Sequence, residues 1–151
     1  MRSLTLVVGA ALLAACAKPE APPAAEPAAA APAPTVNLAD VAGTWTVTTT
    51  PETSDSVLVT STLVASADPA AWTLTLPGRP PMALRVSTSA DTIIADGGPY
   101  ESVLMKGVQV TTHSQYRLVD GKLVGMTVAH YQGRKTADSV RTLRTTGTKN
   151  P

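Results

Sequence analysis

The chain has 151 residues, 44% of them hydrophobic, yet it contains no Phe and only five aromatics: Trp45, Trp72, Tyr100, Tyr116 and Tyr131. That length suits one domain and excludes a large multidomain enzyme. With 12 Lys and Arg against 11 Asp and Glu, the net charge is +1, which excludes the basic footprint of a nucleic-acid partner or of adhesion to an acidic membrane surface.

Apolar residues are unevenly placed: residues 1–35 hold 21 of them, and the remaining 116 residues hold 45. The N-terminus reads Met-Arg-Ser, then an apolar run over 4–15, then Cys16. One positive charge before a short apolar segment is the build of an export signal. As a helix the run would be about 18 Å long, short of the ~30 Å hydrocarbon core, so it predicts no transmembrane anchor.

The end of that run, Leu13-Ala14-Ala15-Cys16, resembles the lipobox of bacterial lipoproteins. The resemblance implies a signal peptide over 1–15, cleavage before Cys16, diacylglyceryl transfer to the Cys16 sulfur and acylation of the new N-terminus. Acyl chains on Cys16 would make the membrane a partner, at about 0.8 kcal/mol per buried CH₂. Ala17 rather than Asp after the cysteine implies sorting to the outer membrane, with the domain facing periplasm or exterior. The other reading is an ordinary secretory signal in which Cys16 is incidental. Cys16 is the only cysteine, so its lipidation leaves no thiol for disulfides, nucleophilic catalysis or thiolate metal sites.

Residues 17–34 contain 9 Ala and 6 Pro among 18. Prolines this frequent interrupt a helix, which predicts an extended, polyproline-like tether of about 56 Å at ~3.1 Å per residue. With Cys16 it forms a segment over 16–35, and the working domain is expected over 36–149.

That domain holds 20 Thr and 14 Val, residues suited to pleated, half-buried strands. Candidate strands are 43–50, 56–65, 72–76, 82–89, 91–95, 108–119, 122–131 and 139–146, separated by breakers such as Pro77-Gly78, Gly97-Gly98-Pro99 and Gly133. The expected fold is all-β: an antiparallel meander forming a small barrel or half-barrel of about eight strands. Asp120-Gly121 is a type I′ hairpin signal that pairs Val119 with Lys122, Leu118 with Leu123, Tyr116 with Gly125 and Val110 with Tyr131. Val110, Tyr116, Leu118, Leu123 and Tyr131 then share the expected core face, with Tyr116 over Gly125.

At the domain start, Asn37 is placed to cap one short turn ended by Gly43, with a strand beginning near Trp45. Gly43-Thr44-Trp45 after such a turn resembles the opening motif of lipocalins and related calycin barrels. That resemblance implies a Trp closing the barrel floor, with an Arg from near the last strand, Arg141 or Arg144, packed across it. Thr46 after the Trp and the short domain depart from the family pattern, and Trp45 anchoring the core of another β fold is the other reading.

Catalytic chemistry is sparse. Only His113 and His130 are histidine bases, without a nucleophile elbow or compact metal-ligand spacing. They are expected on the outer face, so no catalytic residue, metal site or cofactor is assigned. The segment 97–107, with Tyr100, Val103, Leu104 and Met105, is the candidate lid or partner contact; the plainer reading is a plug for one end of the core. The expected function is non-enzymatic: a lipid-anchored envelope protein binding a small apolar ligand or an envelope protein. The alternatives are a purely structural or interaction lipoprotein, or a hydrolase or metal protein using the two histidines.

Overall fold

The computed structural model describes residues 35–135 and 138–151. The apolar run, Cys16 and the Ala/Pro segment therefore lie outside the described residues. The Asn37 side chain accepts the Ala39 N–H at 3.0 Å and caps helix α1 (Leu38–Val41). There follow strands β1 (Gly43–Pro51) and β2 (Val59–Ala65), a 3₁₀ turn (Pro69–Ala71), β3 (Thr73–Thr75), β4 (Met82–Ala83), β5 (Arg85–Ser89), β6 (Thr92–Glu101), β7 (Gln109–Val119), β8 (Lys122–Tyr131) and β9 (Val140–Lys149).

Each strand pairs antiparallel with its sequence neighbour, except that β9 returns to pair with β1 and β4 does not pair with β5. The order is β4-β3-β2-β1-β9-β8-β7-β6-β5. Its two edge strands are separated in sequence by Leu84 alone, so the sheet curls into a nearly closed all-β barrel. Nine strands replace the eight expected because segment 82–89 breaks at Leu84. There the Leu84 N–H turns away to the Trp72 carbonyl at 3.0 Å, and the side chain is buried.

The Asp120-Gly121 hairpin has the expected register: Val119 opposes Lys122, Tyr116 opposes Gly125, and Val110 opposes Tyr131. Both turn residues have positive φ, at 49° and 74°, which a type I′ turn requires. Gly125 admits no side chain, since an added Cβ would run into the Gln115 carbonyl. One member of the expected core face is corrected. Leu118 is 39% exposed, whereas its partner Leu123 is fully buried. The reason is register: β6 pairing ends at Ile93 opposite Tyr116, so β6 gives Leu118 no ladder partner, whereas Leu123 lies against Gly147 of β9.

A second correction concerns Gly97-Gly98-Pro99, read from the sequence as a turn. These residues lie inside β6, where the pairing to β7 skips between Gly97 and Tyr100. A bulge tolerates a proline, which has no N–H to give to a ladder. Gly97 and Gly98 also face contacts that exclude a Cβ: Thr112 Oγ1 would be 2.9 Å from one at Gly97, and the Val110 carbonyl oxygen 2.7 Å from one at Gly98. Tyr100 is therefore a strand residue, and the connecting loop is only 102–108.

Up-and-down connectivity gives the barrel two poles. One holds α1, the starts of β1, β6 and β8, and the ends of β2, β7 and β9. The described chain enters there, with the Val36 N–H bonded to the Ala90 carbonyl at 2.9 Å. Val41, Trp45, Leu63, Trp72, Ile93 and Leu123 fill this pole. The opposite pole carries loop 102–108 and a separate cluster of Val110, Ala129 and Tyr131, against which Tyr100, Met105 and Val108 rest.

Candidate functional site

The Gly-Thr-Trp motif closes the filled pole. Trp45 is 1% exposed, and its indole N–H donates to the Val41 carbonyl at 2.9 Å, tying β1 to α1. The cation across the ring is Lys149, with Nζ 5.5 Å from the ring centroid, and not Arg141 or Arg144. The cause is again register. β9 runs on to Lys149, which pairs with Trp45, whereas Arg144 pairs with Thr50 at the other pole. At Gly43 the backbone takes φ +139°, a conformation that favours glycine. Arg141 instead sits 6.0 Å from the Tyr131 ring, and Arg144 binds Asp55 at 2.8 Å together with the carbonyls of Pro51 and Ser54. The Arg144 contacts tie the 52–58 loop to β9.

Between the two poles the interior is hollow. A cavity of about 70 Å³ is bounded by the ends of β1 and β2, by β7, β8 and β9, and by Ser102, Val103 and Leu104 of the 102–108 loop. Of its 18 lining residues, 10 carry a hydroxyl and none is charged, so the described residues offer a lining of neutral polar groups among aliphatic ones. Strand alternation explains the mix. Ser114 precedes Tyr116 by two on β7, and Thr127 follows Gly125 by two on β8, so the inward face carries hydroxyls between its apolar members.

These hydroxyls form a chain across three strands. Ser114 Oγ lies 2.8 Å from Thr127 Oγ1, which lies 2.9 Å from Thr145 Oγ1. The Tyr116 phenol adjoins them: burial pushes its pKa above the ordinary 10.0, and hydrogen bonds to Ser114 and Thr127 pull the other way. Tyr100, on β6, is likewise raised by burial and opposed by a hydrogen bond to Thr112. Both phenols are thus neutral at physiological pH. Sequence reasoning put Tyr116 on this face but passed over Ser114, Thr127 and Thr145. The signal was present in the hairpin register, which sets Ser114 directly opposite Thr127.

The candidate lid divides accordingly. Val103 and Leu104 line the cavity, and Met105 packs on the mouth cluster. The loop closes on itself: Ser102 Oγ accepts the N–H groups of Leu104 and Met105 at 3.0 and 3.1 Å, the Ser102 N–H bonds to the Val108 carbonyl, and Glu101 Oε1 accepts the Gly107 N–H. Arg79 adds a hydrogen bond to the Glu101 carbonyl. Gly107, at φ +76°, supplies the left-handed residue that turns the loop back into β7. Val103 is also one wall of an open cleft of about 500 Å³ outside the loop, lined further by Leu58, Val59, Arg79 and Lys106.

Neither histidine reaches the cavity. His113 faces outward and bonds Asp96 of β6 at 2.7 Å, with Gln115 Nε2 3.3 Å from its other ring nitrogen. His130 is exposed, opposite Thr111 and Val140. Among the described residues no three His, Cys, Asp or Glu side chains gather as metal ligands would. Compared with known proteins, the chain matches no family, no curated protein and no solved structure.

Proposed function

We propose that this chain is a lipid-anchored binding protein of a bacterial cell envelope, non-enzymatic, which takes a small ligand into the barrel interior. The observation that carries the reading is the hollow between a solidly filled pole and a short loop whose apolar tip, Val103 and Leu104, forms the cavity wall. A barrel of this size either fills its interior with side chains or keeps room for one small molecule. The lipobox-like Leu13-Ala14-Ala15-Cys16 supplies the anchor. The short helix, Gly43-Thr44-Trp45 and the Lys149 cation over the indole support a lipocalin-like barrel, with lysine in the arginine's role.

Two measurements test this reading. Palmitate labelling should mark the full chain and disappear in Cys16→Ser. Native mass spectrometry of the chain recovered from envelope membranes should find a small bound mass, lost in Ala129→Leu, which fills the cavity from β8. A chain that carries nothing and takes up no small probe would overturn the binding role. A second reading, contact with an envelope protein at the mouth, is favoured by the exposed Val57, Leu58 and Val103. A photocrosslinker at Val103 that captures one envelope protein, on a barrel that stays empty, would put this reading first.

A further inference from the structure

The lining chemistry says more than that the cavity is hollow. We infer that its ligand is an uncharged molecule bearing a hydroxyl or similar neutral hydrogen-bonding head, held head-inward against the Ser114–Thr127–Thr145 belt. This rests on the binding role proposed above and specifies the ligand class.

Three observations carry it. First, the described lining contains no charged side chain, while Arg79, Glu101 and Lys106 all border the cleft outside the loop. A buried ion with no counter-charge loses hydration that nothing replaces, so a charged head is rejected from the interior. Second, the belt has capacity to spare. Three hydroxyls bring three protons and six lone pairs, and their two mutual bonds use two protons and two lone pairs. The remainder is available to the Tyr116 phenol and to a ligand head that both donates and accepts. The three hydroxyls already partner one another, and a head that donates and accepts adds bonds that a purely apolar ligand cannot make.

Third, aliphatic side chains share the cavity with the belt. Ser114, Thr127 and Thr145 sit mid-strand, and Val103 and Leu104 of the 102–108 loop line the same cavity. A molecule with a neutral polar head and a short aliphatic body matches that pairing, with the head at mid-barrel and the body toward the loop. The space of about 70 Å³ is small and not sealed, and Val103 stands on its edge. The body therefore extends past Val103 toward the outer cleft, which that residue also lines.

The test uses four matched probes on the ¹⁵N-labelled full chain, followed by amide shifts: 1-butanol, pentane, butyrate and butylammonium. The expected result is saturable 1-butanol binding that moves the amides of Thr127 and Thr145, at least tenfold tighter than any of the other three. Thr127→Val should weaken 1-butanol about tenfold and leave pentane unchanged, while Thr127→Ser should retain 1-butanol. If Thr127→Val does not fold, the probe ranking on the unaltered chain decides alone. Pentane binding as tightly as 1-butanol would overturn the inference while preserving the binding role, since the site would then be simply apolar. Butyrate or butylammonium binding equally well would overturn the head-inward orientation, placing the charge in the outer cleft. Failure of every probe, in the unaltered chain and in Leu104→Ala, would remove the binding role itself.

Discussion

The two poles of this barrel are built from the same strands, yet they differ in what the inward face carries. At the filled pole, Trp45, Leu63, Trp72, Ile93 and Leu123 are within 1% of complete burial, and the two indole N–H groups go to the carbonyls of Val41 and Ser66. From mid-barrel toward the mouth the same alternation delivers Ser, Thr and Tyr, and the Ser114, Thr127 and Thr145 hydroxyls bond one another beside a space that no side chain occupies. Large apolar side chains from opposite walls meet and exclude water; short hydroxylated ones do not reach across. The contrast sets a pole packed for stability against one that keeps open the space proposed to hold a ligand.

Breaking the contrast at the filled pole should have the largest effect. Trp45→Ala removes a fully buried indole and should destabilise the domain by about 3–5 kcal/mol in urea unfolding. Leu104→Ala, in the partly exposed loop tip, should cost no more than about 1 kcal/mol. Equal losses would erase the distinction between the poles. Gly125→Ala probes the junction between them: its Cβ meets the Gln115 carbonyl, so β7 and β8 must part locally, at about 1–3 kcal/mol by thermal or urea unfolding.

Smaller effects sharpen the comparison. Tyr116→Phe should cost about 1–2 kcal/mol, because it removes the phenol from beside Ser114 and Thr127. Its pH signature is more specific. Folding raises this phenol above its ordinary pKa of 10.0, so the contribution is fully present below pH 10.0. Above that, the unfolded chain releases a proton the folded chain keeps, and stability falls until the folded phenol itself ionises. Urea midpoints measured from pH 9 to 11 should therefore fall less steeply in Tyr116→Phe and least in the double variant with Tyr100→Phe. Lys149→Met should cost only about 0.5–1 kcal/mol through the lost contact with the Trp45 ring, read as a small shift in midpoint.

Locally encoded features were the legible ones. Asp120-Gly121 demands positive φ at two successive residues, which few dipeptides allow, so the hairpin register could be written down residue by residue. Asn37 as a cap and Trp45 as an anchor are likewise short-range statements. Features that depend on distant chain were not readable in this way. Leu118 looks like a core residue until β6 stops short of it, and Gly97-Gly98-Pro99 looks like a turn until β7 supplies the partner that makes it a bulge. The lipocalin resemblance implies an arginine across the ring, but the last strand continues past Thr146 to Lys149, which pairs with Trp45 and supplies the cation instead.

Composition and alternation alone thus specify an all-β domain, its turns and several strand faces, because backbone sterics, turn dihedrals and period-2 side-chain placement act within a few residues. Only tertiary closure decides that Ser114, Thr127 and Thr145 face inward together, that β9 returns to β1, and that Val103 and Leu104 cap a space rather than fill it. Those outcomes depend on side chains from strands dozens of residues apart arriving at the same place, and their combined bulk decides whether the interior is solid or hollow.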